Sequence, residues 1–253
     1  MANLRDLLFG YGEGTSITPQ DFSVWNTDIR TATNGGRCCL WTVPAGATRA
    51  VFEMWGGGGG GAMACCCQQG GGAGAGGYAI KTCNVSAGEG IRICAAGSTC
   101  CDSGNLAGHN GSCSFVCSES AGANGRWESK VCGGNNTDAA CTRCQYWINC
   151  YTCCTMCYCC RGRSVNTDFC IPGTAGNSQN TQFCNGEGHQ YAANAPFAAP
   201  GPRIGPNGCC SCFGGCCGFG IFPGGGGLSS QVHGGQCYWG GPGAGGLVYV
   251  LFY

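Results

Sequence analysis

The residues best equipped for chemistry are thiols. Cys141 and Cys144 stand in "CTRC", and Cys150 and Cys153 repeat that spacing a few residues on. At this separation two thiolates can reach one zinc or iron ion. Many other cysteines come as neighbours, among them Cys38/Cys39, Cys65/Cys66/Cys67, Cys100/Cys101, Cys209/Cys210 and Cys216/Cys217. In extended chain, adjacent side chains point to opposite faces. The chemistry of such pairs is cross-linking, each member tying a different neighbour.

With 28 cysteines in 253 residues, metal-like spacings arise by chance. The histidines that would complete a site, His109, His189 and His233, are remote from the 141–160 block. We therefore favour disulfides, with Cys141, Cys144, Cys150 and Cys153 kept as a thiolate-metal alternative. The candidates for bridging are Cys38, Cys39, Cys65, Cys66, Cys67, Cys83, Cys94, Cys100, Cys101, Cys113, Cys117, Cys132, Cys209, Cys210, Cys216 and Cys217. Connectivity is not legible. Asp102, Asp138 and Asp168 form no paired-carboxylate spacing, and the glycine runs lack the strand, lysine and helix of a phosphate loop. No enzyme and no cofactor is expected.

Composition narrows the class further. Charged residues are 9% of the chain, and 12 cations balance 12 anions. No net field would draw the chain to nucleic acid or an anionic membrane, so neither is an expected partner. Cysteine at this level marks an oxidising environment. The start "MANLRDLLFGYGEG", however, has too short an apolar run for a secretory signal, and no segment has the length of a membrane span. A protein made in a cytoplasm and oxidised after release would satisfy both observations.

The elements that must position these thiols read as strands. Residues 1–36 are free of cysteine and are expected to form an N-terminal docking segment, with 37–253 a cysteine- and glycine-rich β domain. Within it, strands are expected near 37–55, 76–96, 112–132 and 245–253. A cysteine-rich insertion covers 133–170 and a glycine-rich insertion 171–246. Turn residues Pro44 and Gly46, the run "SAGEG" and the run "AGANG" predict three hairpins. Phe52 and Met54 are expected to face a core. "GLVYVLFY" reads as a central strand that completes a sheet opened near the N-terminus.

Helical periodicity is absent, and glycine costs a helix about 1 kcal/mol per residue. The fold expected is all-β with very little helix and long irregular glycine- and cysteine-rich segments. Ordering each glycine backbone costs roughly 1–2 kcal/mol with no side chain to bury. Order in "WGGGGGGA" therefore requires compensation, from cross-links or from close packing of polyglycine-II-like helices. The hexaglycine is expected to be ordered structure.

The pieces "WTVPAGATRAVFEMWGGGGGGA", "GGYAIKTCNVSAGEGIRICAAG" and "GGPGAGGLVYVLFY" together resemble the glycine-rich domain of bacteriophage virion proteins, above all tail fibres and tail-tip adhesins. The resemblance covers about a third of the chain. It implies a small, jelly-roll-like β-sandwich, packed polyglycine helices, and aromatic loops that touch the bacterial surface. The chain departs from that pattern at Cys83, Cys94 and Cys113, where valine, threonine or serine would be usual, and in the block Cys141 to Cys160.

The resemblance implies a non-enzymatic virion protein on the particle exterior, of tail-fibre, appendage or adhesin type. Its partners would be other tail proteins, identical copies and a host-surface glycan or protein. A decoration or cementing protein is the alternative, and a thiolate metal-binding protein the second. Contact aromatics would be drawn from Trp127, Tyr146, Trp147, Tyr151, Phe213, Phe219, Phe222, Tyr238 and Trp239.

Overall fold

The computed structural model describes residues 20–23, 37–61, 72–99, 109–119, 127–134, 164–174, 177–178, 190–191, 193–198, 203–204, 220–228 and 240–253. Among them there is no helix, and none long and apolar enough to cross a membrane. The expected all-β class holds.

Strand β1 (Gln20–Ser23), β13 (Leu247–Phe252), β3 (Arg49–Trp55), β4 (Tyr78–Asn84) and β9 (Phe169–Ile171) form one antiparallel sheet in that order. A second is built from β2 (Arg37–Thr42), β5 (Gly90–Ala95), β6 (Ser114–Ser118), β7 (Glu128–Val131) and β8 (Ser164–Val165). A small third sheet contains β10 (Asn177–Ser178), β11 (Gln190–Tyr191) and β12 (Arg203–Ile204). The last strand lies between β1 and β3, the central place that its two-sided apolar sequence predicts.

Period-two alternation builds the core. Phe52, Met54, Val248, Val250 and Phe252 of the first sheet meet Ile91, Ile93, Val116 and Val131 of the second in one buried cluster. Trp41 stacks on Phe252 with ring centroids 4.3 Å apart, adding a contact between elements of different sheets.

Two of the three expected hairpins are corrected. β2 pairs with β5 and β3 with β13 and β4, so the turn at Pro44 and Gly46 carries the chain between sheets. The turn after β4 does the same. Both corners are tight, with Gly46 at φ 90° and Gly88 at φ 83°, where only glycine is unstrained. They clasp each other: Val43 N–H donates to the Glu89 carbonyl and Gly88 N–H to the Val43 carbonyl, each at 2.9 Å. The buried Glu89 carboxylate accepts from Ser86 N–H and from the Ser118 hydroxyl. Only β6 and β7 pair as the expected hairpin, and the turn between them lies outside the described residues.

The glycine segments pack against one another by backbone hydrogen bonds. Gly56 and Gly59 donate to Gly77 and Gly74, Gly57 and Gly60 to Ser112 and His109, Gly58 and Gly61 to Ala244 and Gly241. All six distances lie between 2.8 and 3.0 Å. The donor advances three residues as the acceptor retreats three, so each neighbouring segment runs antiparallel to the hexaglycine. Ala73 and Gly76 repeat the rule against Gly227 and Gly224. The hexaglycine is buried along its whole length, as its expected order requires.

Two hydroxyls fasten this array to the sheets. Ser114 accepts from Ala96 N–H and donates to the Trp55 carbonyl, while Thr99 donates to the Gly58 carbonyl and accepts from Gly243 N–H. Each buried hydroxyl has both a donor and an acceptor role filled, which removes the cost of burying it.

Candidate functional site

The outward face of the first sheet, around β3, β4 and β9, bears an aromatic cluster. On β3 the residues alternating with Phe52 and Met54 are Val51, Glu53 and Trp55, and their β4 neighbours in register are Thr82, Ile80 and Tyr78. Tyr78 lies at the centre. Its ring centroid is 4.7 Å from that of Trp55, 5.0 Å from Phe197 and 6.4 Å from Phe169. The tilted and edge-on arrangements suit the ring quadrupoles.

Polar groups hold the cluster in place. The Tyr78 hydroxyl donates to the Glu53 carboxylate at 3.2 Å, and the Trp55 indole N–H donates to the Pro196 carbonyl at 2.9 Å. The segment 193–198 is anchored by Thr174, whose hydroxyl donates to the Asn194 carbonyl and accepts from Asn194 N–H. Gly226 N–H donates to the Ala193 carbonyl, joining the same segment to the glycine array.

Phe197 is the outermost ring. It is 71% exposed, and its backbone sits at φ 62°, a left-handed conformation that costs a bulky residue about 1–2 kcal/mol. Phe169 is half exposed beside it. Next to Phe169, Asp168 accepts from Lys81 at 3.1 Å and from Thr82 N–H at 2.6 Å, so the one charged pair adjoining the cluster among the described residues is internally neutralised. The surface offers the exposed aromatic faces of Phe169 and Phe197. It can stack on a ring-shaped or apolar ligand.

The sequence-derived aromatics fare differently. Trp127 is partly buried and packs against the core, its ring 5.9 Å from Phe52. Phe222 is half-buried at the start of a glycine segment. Tyr146, Trp147, Tyr151, Phe213, Phe219, Tyr238 and Trp239 lie outside the described residues. Phe169 and Phe197 were missed by sequence reasoning. The one signal available was Phe197 itself, a large apolar residue in the proline- and alanine-rich "ANAPFAAPGP".

Among the cysteines, Cys38 and Cys94 are bridged across β2 and β5. Cys39 turns to the other face and packs against the core, as adjacent residues of a strand must. Cys39, Cys83, Cys113, Cys117 and Cys170 carry free thiols, of which Cys39, Cys83, Cys113 and Cys117 were expected to bridge. For Cys83 and Cys117 the reason is register: they face Ala50, and Arg92 with Glu128, where no thiol stands opposite. The candidates Cys65, Cys66, Cys67, Cys100, Cys101, Cys209, Cys210, Cys216 and Cys217, and the metal alternative Cys141, Cys144, Cys150 and Cys153, lie outside the described residues. Among the described residues no three potential ligands gather as a metal site.

Burial pushes the Cys83 thiol from an ordinary 9.0 up to about 12, with the Glu89 and Asp168 carboxylates adding to the shift and Lys81 opposing it. Burial also raises Cys39, against the pull of Arg37, and raises Cys117, helped by Glu119 and Glu128. These thiols stay protonated at neutral pH and are poor nucleophiles. In the native protein at pH 8, Cys83 is expected to be alkylated by iodoacetamide far more slowly than the exposed Cys170, and at the same rate once unfolded. Between pH 9 and 12 the unfolded thiol ionises while the folded one does not, so the Cys83 contribution to stability falls across that window.

No protein-family model matches the chain, and no curated protein sequence does.

Proposed function

We propose that this chain is a non-enzymatic structural protein of a bacteriophage particle, displayed on the tail as a fibre, appendage or adhesin subunit. The observation that supports the reading most directly is the glycine array. Its hydrogen bonds rotate among three antiparallel neighbours with a period of three residues, the period of a polyproline-II helix. We read the array as packed polyglycine-II helices and the two large sheets, which share one core, as a small β-sandwich. That combination is what the resemblance to phage glycine-rich domains implies.

A domain with few charges, ordered by backbone packing, suits display. In this reading the Phe169 and Phe197 face joins the sequence-derived aromatics as a contact surface for a host glycan or protein. Residues 1–36 attach to neighbouring tail proteins, and identical copies assemble on the particle.

Two measurements test the proposal. Peptides of this chain are expected in purified virions, and the labelled protein is expected to bind cells of the infected host and to compete with adsorption. The double substitution Phe169→Ala, Phe197→Ala is expected to weaken cell binding by at least about tenfold, as loss of aromatic anchors does, with little change in the thermal midpoint. Presence in virions without cell binding would favour the decoration protein, and absence from virions would sink both.

A further inference from the structure

The two large sheets end in four edge strands: β1 with 4 residues, β9 with 3, β8 with 2 and β2 with 6. The longest of these, "RCCLWT", lacks the devices that usually blunt an edge, a lysine, a proline or a bulge. Its one charge, Arg37, stands at the first residue. Leu40, near the middle, is 65% exposed, and Cys38 and Thr42 on the same face are exposed beside it.

The phase of the ladder shows which backbone groups the edge presents. Val43 N–H donates to the Glu89 carbonyl and the Val43 carbonyl accepts from Gly88 N–H, so both groups of Val43 point toward the β5 side. Direction alternates along a strand, and those of Thr42, Leu40 and Cys38 therefore point away from β5. Two observations on β5 agree. The Gly90 carbonyl, opposite Thr42, accepts from Glu119 N–H on the β6 side. The Cα atoms of Cys38 and Cys94 are 4.0 Å apart, the close approach of a non-hydrogen-bonded pair. Among the described residues nothing pairs with the outer edge of β2.

We infer that β2 pairs antiparallel with β2 of a second copy of this chain, about a two-fold axis at Leu40, joining the second sheets of both copies into one. Two arguments select this occupant. The first is self-complementarity. With Leu40 against Leu40 of the second copy, Cys38 stands against Thr42; all three share the outer face and aim their N–H and C=O groups at the edge. Every such pair exchanges both of its backbone bonds, and the most exposed apolar side chain of the strand covers its own counterpart. The second is charge. With 12 cations and 12 anions the copies do not repel each other, and Arg92, the residue beside Leu40 on that face, is paired with Glu119.

The pairing has a consequence for binding. Between the sheets β4 meets β7 and β1 meets β5, so β2 and β9 lie at opposite sides of the domain. A dimer through β2 leaves the Phe169 and Phe197 face of each copy open, and two linked faces bind a repetitive surface more tightly than one. The inference gives a surface to the assembly of identical copies proposed above and does not depend on the tail reading.

The test is sedimentation of the full chain over a range of concentrations, with accessible thiols alkylated so that intermolecular disulfides cannot join copies. A monomer–dimer equilibrium is expected. Leu40→Lys sets like charges opposite one another and is expected to weaken the dimer by about tenfold or more, as is Leu40→Glu. An equal mixture of the two variants is expected to recover the dimer, which requires residue 40 to stand against its own counterpart. Val165→Lys, half exposed on the opposite edge of the same sheet, is expected to leave the equilibrium unchanged. A chain that is monomeric at every concentration, a closed trimer, a dimer that the Leu40 variants do not weaken, or a mixture that stays monomeric would overturn the inference. The wild-type measurement stands even if a variant fails to fold. No virion or host cell enters this assay, so its failure and that of the tail reading are told apart.

Discussion

Gly58→Ala is expected to destabilise the protein by about 3 kcal/mol or more, a large effect for the addition of one methyl group. A β-carbon at position 58 would lie 1.9 Å from the Gly225 carbonyl oxygen and 2.4 Å from its carbon. The obstacle is backbone, and that backbone is itself engaged: Ala244 N–H donates to the Gly225 carbonyl at 2.8 Å. Relief would require separating segments that several hydrogen bonds hold together. Two other glycines provide the comparison. At Gly90 a β-carbon would make ordinary contacts of 3.6 and 3.9 Å with Leu40 and Glu119, so Gly90→Ala should be nearly neutral. At Gly88 space is open but φ is 83°, so Gly88→Ala should cost only the left-handed strain, about 1–2 kcal/mol. Denaturant midpoints of the three variants are expected in the order Gly90→Ala, Gly88→Ala, Gly58→Ala, from highest to lowest. Equal midpoints for Gly58→Ala and Gly90→Ala would mean that the hexaglycine is not packed as described.

That ordering depends on which backbones meet, and this was the part of the fold hidden from the sequence. The strands were legible because alternation is a local signal: Phe52 and Met54 could be aimed at a core from their own neighbours alone. Their pairing was not. A short loop with a left-handed glycine serves a hairpin and a corner between two sheets equally well, and at Gly46 and Gly88 the corner is what formed. The choice is made by contacts distant in sequence, such as the bond from Val43 to Glu89. The hexaglycine could be expected to be ordered on energetic grounds, yet a run without side chains says nothing of its partners. Ser112, Ala244 and Gly74 are scattered along the chain and carry no common pattern.

The candidate site divides along similar lines. Trp55 and Tyr78 belong to strands whose alternation places them, but the ring that projects furthest, Phe197, sits in a proline-rich loop with no period. Its direction is set by Thr174 and by the Trp55 indole bonded to Pro196. Trp127 shows the converse. It looked like an exposed loop aromatic, and it packs inward because Phe52 stands across the core from it.

That contact makes Phe52 the side chain whose truncation should damage the sheets most. It is fully buried, lies opposite Val250 on the central last strand, and meets Trp127 just before β7 of the other sheet. Phe52→Ala is expected to cost about 3–5 kcal/mol, the transfer of the ring plus the cavity it leaves. Phe52→Leu, which keeps most of the volume, should cost less than about 1.5 kcal/mol. Tryptophan emission should shift to the red in the alanine variant as Trp127 loses its cover. The same variant tests whether sheets and glycine array unfold together. Ser114 and Thr99 bond the array to the sheets, so loss of the sheet core should lower the protection of the Gly56–Gly61 amides by the same free energy that it lowers the global transition. Unchanged exchange at those amides, beside a lowered fluorescence midpoint, would make the array an independently stable unit held by its own backbone bonds.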